Sequence, residues 1–222
     1  MKNLQTTGAI GAFIMALAYI VGLGLAFTVL DTSGLENPVD IVRFHVENYA
    51  LYYLWITLIY VAAGVFLIPL SLALRERLAA ADPQVGPLAT LATAFGLVWA
   101  VLIIGSGLLY NVGLGETVQI YAENPAEAAV FWRLIETVHV GIGASIEIPG
   151  GAWTLLVGIA ALRSGVFPKA LNLFALLIGA AGILTIVPPL MDVAVGLYAI
   201  GQIIWWIWMG VSILRNPLEG SV

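Results

Sequence analysis

Ligand binding or chemistry could take place in one long apolar stretch of the sequence, residues 125–162, where four of the ionisable side chains share a helical face. They are Arg133, Glu136, His139 and Glu147. At 100° of rotation per residue, they share one face of a continuous helix, about 120° wide. Ionisable groups within a membrane-spanning segment usually face a bundle interior or a water-filled cavity. We therefore expect this face to line a ligand-binding site.

Glu147 is the strongest single candidate because of its depth in that stretch. If Leu162 marks one boundary of the bilayer, a rise of 1.5 Å per residue places Glu147 about 22 Å from it. A lone carboxylate is costly there, so we expect Glu147 to be protonated or paired. The Pro149-Gly150-Gly151 sequence that follows removes a backbone donor and predicts a helix break beside a cavity. The other polar residues predicted to line this cavity are Tyr60, Ser106, Tyr110, Asn111 and Gln202.

The remaining polar side chains on this face also have simpler interpretations. Arg133 and Glu136 are three residues apart and could form an interfacial ion pair, which contributes little stability. His139 could be satisfied by a neighbouring carbonyl or by Glu136. Alternatively, Glu136 and His139 have the spacing of two metal ligands on one helix, and His45 and Glu47 could complete a metal site.

No cofactor is assigned from the sequence. Haem held between two histidines would require the same pair, His45 and His139. A retinal Schiff base is excluded, because the two lysines, Lys2 and Lys169, both lie at predicted helix ends. The chain has no Cys, which excludes disulfides, thiolate ligands and a catalytic thiol.

The composition defines the class of protein more firmly than it defines the activity. The chain has 222 residues, of which 61% are hydrophobic and 9% charged, with a mean hydropathy of +1.03. Soluble domains carry about 25% charged residues. This chain therefore cannot cover a globule with solvated side chains, and we expect membrane lipid to surround it. A net charge of −5 with only eight Lys and Arg residues excludes nucleic acid as a partner.

Apolar runs long enough to cross a hydrocarbon core of about 30 Å divide the chain into its elements. We predict an all-α polytopic transmembrane helical bundle that forms a single domain over residues 1–222. The first span is interpreted as a retained helix rather than a cleaved signal peptide. The six predicted transmembrane helices cover residues 8–30, 51–73, 88–112, 139–162, 168–188 and 192–214.

Basic residues are distributed unequally between the two sides of this bundle. Short cytoplasmic loops collect Lys and Arg, and six of the eight fall on one side when the amino terminus lies inside. We therefore predict that both termini are cytoplasmic and that the protein is a multi-pass protein of the inner (plasma) membrane. Asn37-Pro38 and Asn124-Pro125 predict helix starts on the exoplasmic side. There, residues 38–50 and 117–135 should form a helical cap.

The start at Pro125 implies an unusually long fourth helix. From Pro125 to Leu162 a continuous helix would extend roughly 57 Å. Because this length greatly exceeds the bilayer, we expect its first third to project outward or bend.

A pattern of polar and small residues follows His139. Glu147 lies eight residues later, Gly151 four residues after that, and Trp153 two residues further on. The turn Arg163-Ser164-Gly165-Val166-Phe167-Pro168 then leads into the next helix. In these residues the stretch 139–171 resembles the bacterial domain-of-unknown-function family 4386, which comprises small six-helix integral membrane proteins. The resemblance implies the same topology and an important role for His139 and Glu147. The positions that depart from the family pattern are Pro149, Gly150, Asn172 and Gln202, the last of which stands where the family would have Glu.

Three classes of function are compatible with these features. A non-catalytic membrane protein that binds a small molecule, lipid or ion through an outward-facing cavity fits Glu147 and the Pro-Gly-Gly sequence best. The alternative is an accessory or scaffolding subunit of a larger membrane complex, because glycine-rich spans favour close association with other subunits or a second copy. A membrane-embedded enzyme is the third, although the sequence contains no recognisable catalytic set. The candidate ligand-binding residues are Arg133, Glu136, His139, Glu147, Trp153 and Gln202.

Overall fold

The computed structural model describes residues 2–144 and 147–216, and these residues form helices joined by short connections, with no β-strand among them. Residues 1, 145–146 and 217–222 of the domain predicted over 1–222 lie outside the described residues. The α-helices are α1 (Lys2–Ala26), α2 (Pro38–Glu47), α3 (Tyr49–Ile56), α4 (Ala63–Ala81), α5 (Gly86–Glu123), α6 (Pro125–His139), α7 (Ile148–Ser164), α8 (Lys169–Leu184) and α9 (Met191–Arg215). Wider π-helical turns occupy Thr57–Ala62 and Val140–Ala144, and 3-10 turns occupy Pro83–Val85 and Pro188–Leu190.

Several helical stretches have the length and composition of membrane-spanning segments. Within the described ranges, five of them are long and apolar enough to cross a membrane, as expected for a multi-pass membrane protein. The sixth predicted span, 168–188, corresponds to the shorter apolar helix α8, whose 16 residues extend about 24 Å. The five long stretches are Asn3–Ala26, Tyr49–Ala81, Pro83–Glu123, Pro125–Ser164 and Pro188–Arg215.

Both predicted helix starts are confirmed. Asn37 Oδ1 accepts a hydrogen bond from the Val39 amide at 2.9 Å, and Pro38 begins α2. Asn124 Oδ1 accepts from the Glu127 amide at 3.3 Å, and Pro125 begins α6. In both cases the asparagine satisfies a free amide of the first turn, and proline fits there because its missing N–H leaves no hydrogen bond unmade.

The predicted 38-residue fourth helix is broken, and the break lies earlier than the sequence suggested. Regular α-helix ends at His139, and Gly143 has non-helical backbone angles of φ 175° and ψ 22°. Helix α7 begins after Glu147, and Pro149 falls in its first turn. The predicted break at Pro149-Gly150-Gly151 is therefore wrong, because proline is accommodated at a helix start without loss of a hydrogen bond. The common helical face holds from Arg133 to His139, but it does not extend to Glu147.

A glycine seam joins α7 to α8 and brings the two backbones close together. A Cβ atom added at Gly151 would lie 2.6 Å from the Ile183 amide nitrogen. One added at Gly179 would lie 2.6 Å from the Leu155 amide nitrogen. Side chains are excluded from both positions, so the seam depends on glycine, as is common where membrane helices pack closely. We define the glycine seam as Gly151, Gly158, Gly179 and Gly182.

Tryptophan side chains fill the interior between α5, α7 and α9. The deep position of Trp205, Trp206 and Trp208 in the last predicted span favours core packing over an aromatic belt at the interface. This prediction is confirmed for Trp205 and Trp206, which are fully buried, and is wrong for Trp208, which is 37% exposed. At about 100° per residue, Trp208 lies about 60° from Trp205 and about 160° from Trp206, so it is at the edge of the buried face of α9.

Candidate functional site

A cavity of about 180 Å³ lies where α1, the Trp55–Tyr60 region, α5 and α9 meet the break before α7. Six of the thirteen described residues that line it are aromatic, and Glu147 is the one among them with a carboxyl group. Its lining residues are Tyr19, Gly22, Leu23, Trp55, Ile59, Tyr60, Trp99, Glu147, Val195, Tyr198, Ala199, Gln202 and Trp206. The expectation of a cavity beside Glu147 therefore agrees with the described structure, although the helix break responsible for it is in a different place.

Glu147 occupies the N-cap position of α7, yet its side chain does not cap that helix. The carboxyl Oε2 instead accepts a hydrogen bond from Trp99 Nε1 at 3.0 Å. The backbone N–H of Glu147 donates to Thr185 Oγ1 at 2.9 Å. The carboxyl group of Glu147 is thus bound by a residue of α5, and its backbone N–H is bound by the residue that follows α8. The first of these bonds orients the carboxyl group towards α5.

The hydrogen-bond partner of Glu147 is a neutral group rather than a cation. In residues 2–144 and 147–216, the ion pair formed within 4.0 Å is that between Arg43 and Asp40. Neither of these residues lines the cavity. The sequence predicts that Glu147 is protonated or paired. The structure gives it a hydrogen bond from the neutral indole N–H of Trp99 and no ion pair with a described basic side chain, so protonation stays a prediction.

Two residues on the α9 side of the cavity, Gln202 and Trp206, each have a buried polar atom without a hydrogen-bond partner. Gln202 Nε2 donates to Thr154 Oγ1 and to the Tyr198 hydroxyl. Because Thr154 Oγ1 donates its own proton to the Gly150 carbonyl at 2.9 Å, it can only accept from Gln202. This network assigns the amide orientation, and it leaves Gln202 Oε1 without a partner. The Trp206 indole N–H is also unpaired, although each residue is only 1% exposed.

Aromatic rings form a continuous layer around these polar atoms. The Trp206 ring lies 5.2 Å from Tyr19 in an edge-on arrangement and 6.3 Å from Trp99 in a stacked one. The Tyr198 ring lies 6.0 Å from Trp99. On the opposite wall, Trp55 donates its indole N–H to the Gly22 carbonyl at 2.9 Å, which ties α3 to α1. These rings come from four separate helices and were not predicted as site residues.

His139 lies outside the cavity, behind the wall formed by Tyr60. Its Nδ1 atom is 2.7 Å from Ser106 Oγ, and Ser106 Oγ donates to the His139 carbonyl at 3.0 Å. Since the serine proton is used in that bond, the network assigns Nδ1–H as the donor to Ser106. The Tyr60 and Tyr110 rings approach His139 edge-on at 4.8 and 4.9 Å. His139 therefore supports the position of Tyr60 and has no direct contact with the cavity.

Three other predicted site residues are also absent from the cavity wall. Arg133 is exposed and Glu136 half-buried on α6, and the ion pair suggested between them is not formed. Trp153 is fully buried behind Trp99, at 5.7 Å between ring centroids. Of the predicted ligand-binding set, Glu147 and Gln202 line the cavity. Of the additional polar candidates, Tyr60 lines it and Ser106, Tyr110 and Asn111 do not.

The candidate metal ligands are not gathered into one site. No group of three or more His, Cys, Asp or Glu side chains able to share an ion occurs in the described part of the chain. His45 is instead packed between aromatic rings, 4.1 Å from Tyr52 and 4.7 Å from Trp132. His45 therefore does not form a metal site with Glu47, Glu136 and His139 in the described structure.

Comparison of the chain with protein-family models, curated proteins and solved structures gives no match.

Proposed function

We propose that this chain is an integral membrane protein that binds a small molecule in the cavity beside Glu147. The observation that carries the proposal is a carboxyl group, that of Glu147, in the wall of a largely apolar cavity. Two further lining residues, Gln202 and Trp206, each have a buried polar atom without a partner, Oε1 and Nε1. A buried polar atom without a partner costs about 1–3 kcal/mol. Gln202 Oε1 and Trp206 Nε1 are two such atoms, and a ligand that reaches them would supply the missing partners. Glu147 already accepts one hydrogen bond, from Trp99.

The size of the cavity sets the size of the ligand. An apolar cavity of about 150 Å³ is large enough to bind benzene, and this cavity measures about 180 Å³. The proposed ligand is therefore a molecule with roughly the volume of a substituted benzene. A whole lipid does not fit, although a small headgroup does.

Bromobenzene tests binding directly, because a bound bromine atom quenches the fluorescence of the cavity tryptophans. We expect saturable quenching in purified wild-type protein. Val195→Phe should abolish the saturable part, because Val195 lines the cavity. Val193→Phe is the matched control on the same helix, since Val193 is 76% exposed and does not line the cavity. Equal quenching of both variants and the wild type would contradict the proposal.

Glu147 provides a second test that needs no ligand. Wild type, Glu147→Gln and Glu147→Leu are compared by thermal melting in mild detergent between pH 5 and 8. We expect Glu147→Gln to remain folded but to lose part of the pH dependence of melting, because the carboxyl group can no longer exchange a proton. If all three proteins melt alike at every pH, Glu147 faces lipid or headgroups and the proposal fails.

The proposed topology is a bundle of six transmembrane helices with both termini cytoplasmic, in the inner (plasma) membrane. Helix α8 supplies the sixth span because it packs along α7 and α9, and the bilayer can adapt to its short length. The basic residues on the proposed cytoplasmic side are Lys2, Arg75, Arg77, Arg163, Lys169 and Arg215. The chain has no Cys, so Asp82→Cys and Glu123→Cys can be labelled without background. In intact cells, an impermeant reagent should label position 123 and spare position 82.

Membership of domain-of-unknown-function family 4386 is likewise a proposal. The four motif residues support it, since each has a distinct place around the site. Glu147 lines the cavity, Trp153 backs Trp99, Gly151 belongs to the glycine seam and His139 supports Tyr60. An alignment of this chain with its homologues tests the assignment, which predicts His, Glu, Gly and Trp at these positions.

A further inference from the structure

Among the described residues that line the cavity, one is acidic, six are aromatic and none is basic. Glu147 is its one carboxyl group, and neither Lys, Arg nor His is among the residues that line it. An anionic ligand would meet like charge without a compensating cation. A neutral apolar ligand would leave the carboxyl group without a new partner. The charge distribution of the wall therefore favours a ligand that carries positive charge.

The aromatic walls favour the same kind of ligand. Six of the lining residues carry aromatic rings: Tyr19, Trp55, Tyr60, Trp99, Tyr198 and Trp206. The face of an aromatic ring attracts a cation through its quadrupole, and clusters of such rings are the usual way in which proteins bind quaternary ammonium groups. The attraction is strongest in a site removed from water, which is the case here because Trp99, Tyr198 and Trp206 are buried.

The unpaired atoms on α9 define a second feature of the ligand. Gln202 Oε1 is an acceptor and Trp206 Nε1–H is a donor. The two residues are four positions apart on one helix, so their side chains lie on the same face. A hydroxyl group has the chemistry to serve both atoms, because it can donate to an acceptor such as Gln202 Oε1 and accept from a donor such as Trp206 Nε1–H.

We propose that the cavity binds a small organic cation, a quaternary ammonium or protonated amine carrying a hydroxyl group, with Glu147 as its counter-ion. The inference rests on the proposed function, since it presupposes that the cavity takes a ligand. The aromatic rings surround the cationic head, and α9 receives the hydroxyl group.

Choline and its neutral carbon isostere 3,3-dimethylbutan-1-ol form a matched pair of probes, because they share a shape and a hydroxyl group and differ in charge. Their binding is measured by calorimetry on the purified full chain in a maltoside detergent, which carries no choline group of its own. We expect the wild type to bind choline about tenfold more tightly than the isostere, or better.

Variants test the roles of the carboxyl group and the rings. Glu147→Gln should remove the preference for choline, whereas Glu136→Gln should retain it, since Glu136 does not line the cavity. Trp206→Leu should weaken choline binding about tenfold, and Trp208→Leu should not, because Trp208 is outside the wall. The Trp206 comparison keeps the test valid if Glu147→Gln fails to fold.

The outcomes separate this inference from the proposed function. Equal binding of choline and its isostere would overturn the cation assignment while leaving the cavity as a binding site. If bromobenzene binds but neither choline nor its isostere does, the cation assignment is likewise overturned and the cavity stays a binding site. Failure of bromobenzene and both probes would overturn the proposed function together with the inference.

Discussion

Trp99 donates its indole N–H to Glu147 Oε2 across 3.0 Å, and this bond connects the middle of α5 to the break between α6 and α7. Trp99 also lines the cavity, and its ring is stacked with that of Trp206 at 6.3 Å between ring centroids. One side chain therefore holds the carboxyl group in position and forms part of the surface beside it. The position of Glu147 depends on α5 as well as on its own helix.

Trp99→Phe should destabilise the protein by about 1–3 kcal/mol more than Trp153→Phe. Both changes replace a buried indole with a phenyl ring, but only Trp99 loses a hydrogen bond, because Trp153 Nε1 has no partner. The free energy of unfolding in mixed detergent micelles measures the difference. Equal losses for the two variants would show that the Trp99–Glu147 bond contributes no net stability.

His45 should make the stability of the protein depend on pH. Burial between Tyr52 and Trp132 lowers the pKa of His45 from 6.5 to about 4, and its Nδ1 donates to the Ile41 carbonyl at 2.8 Å, which opposes the shift. In the unfolded chain the imidazole regains its ordinary pKa, so the unfolded state binds more protons between these values. The contribution of neutral His45 is complete above pH 6.5 and is lost as the pH falls towards 4, by about 3 kcal/mol.

His45→Phe tests this expectation, because phenylalanine fills the aromatic pocket but does not titrate. Melting temperatures of the wild type and the variant are compared from pH 7.5 to pH 4. The advantage of the wild type should shrink as the pH falls. An advantage that stays constant across this range would mean that His45 does not gain a proton on unfolding.

Substitutions in the glycine seam should lower the stability of the protein strongly, even when they add only a methyl group. Gly179→Ala places a methyl group 2.6 Å from the Leu155 amide, where backbone must move to accommodate it. The expected loss is about 1–3 kcal/mol or more. Gly105→Ala is the control, because a Cβ at Gly105 meets nothing within 4 Å. That variant should be as stable as the wild type or slightly more stable, since alanine favours helix. A comparable loss in both variants would argue against close packing of α7 on α8.

Arg77 should be the basic residue whose replacement by lysine lowers the free energy of unfolding most. It is buried, and its guanidinium group donates to Gln5 Oε1 at 3.0 Å and to the carbonyls of Ile213 and Asn216. Arg77→Lys keeps the charge but cannot make all three bonds, so we expect a loss of about 3 kcal/mol in unfolding free energy. Arg75→Lys, at an exposed site two residues away, should change it by less than about 0.5 kcal/mol. Tolerance of lysine at both positions would contradict this role.

Local signals in the sequence predicted the helix starts and the apolar elements well. Asn37 and Asn124 act on amides two and three residues ahead, so their effect can be read from a few neighbouring residues. The break before α7 was misplaced because Pro149 is compatible with two structures, a kink within a helix and the first turn of a new one. The common face inferred for Arg133, His139 and Glu147 assumed a continuous helix, and it failed at the break.

The composition of the cavity wall could not be read from the sequence in the same way. Glu147 and Gln202 were identified because polar residues in apolar segments are unusual. Trp99, Tyr198 and Tyr19 carry no such signal, since aromatic residues are common in membrane helices. Their meeting depends on contacts between α1, α5 and α9, which are distant along the chain.

The glycine seam has a consequence for how the chain enters the bilayer. Alone, α8 would cover about 24 Å of a hydrocarbon core about 30 Å thick, so the helix would be too short to span the full thickness of the core. In the six-span arrangement, α7 lies against it closely enough for backbone to touch backbone. If α8 is the sixth span, as proposed, we expect the two helices to partition into the membrane as one hairpin and to leave it as one unit under mechanical load.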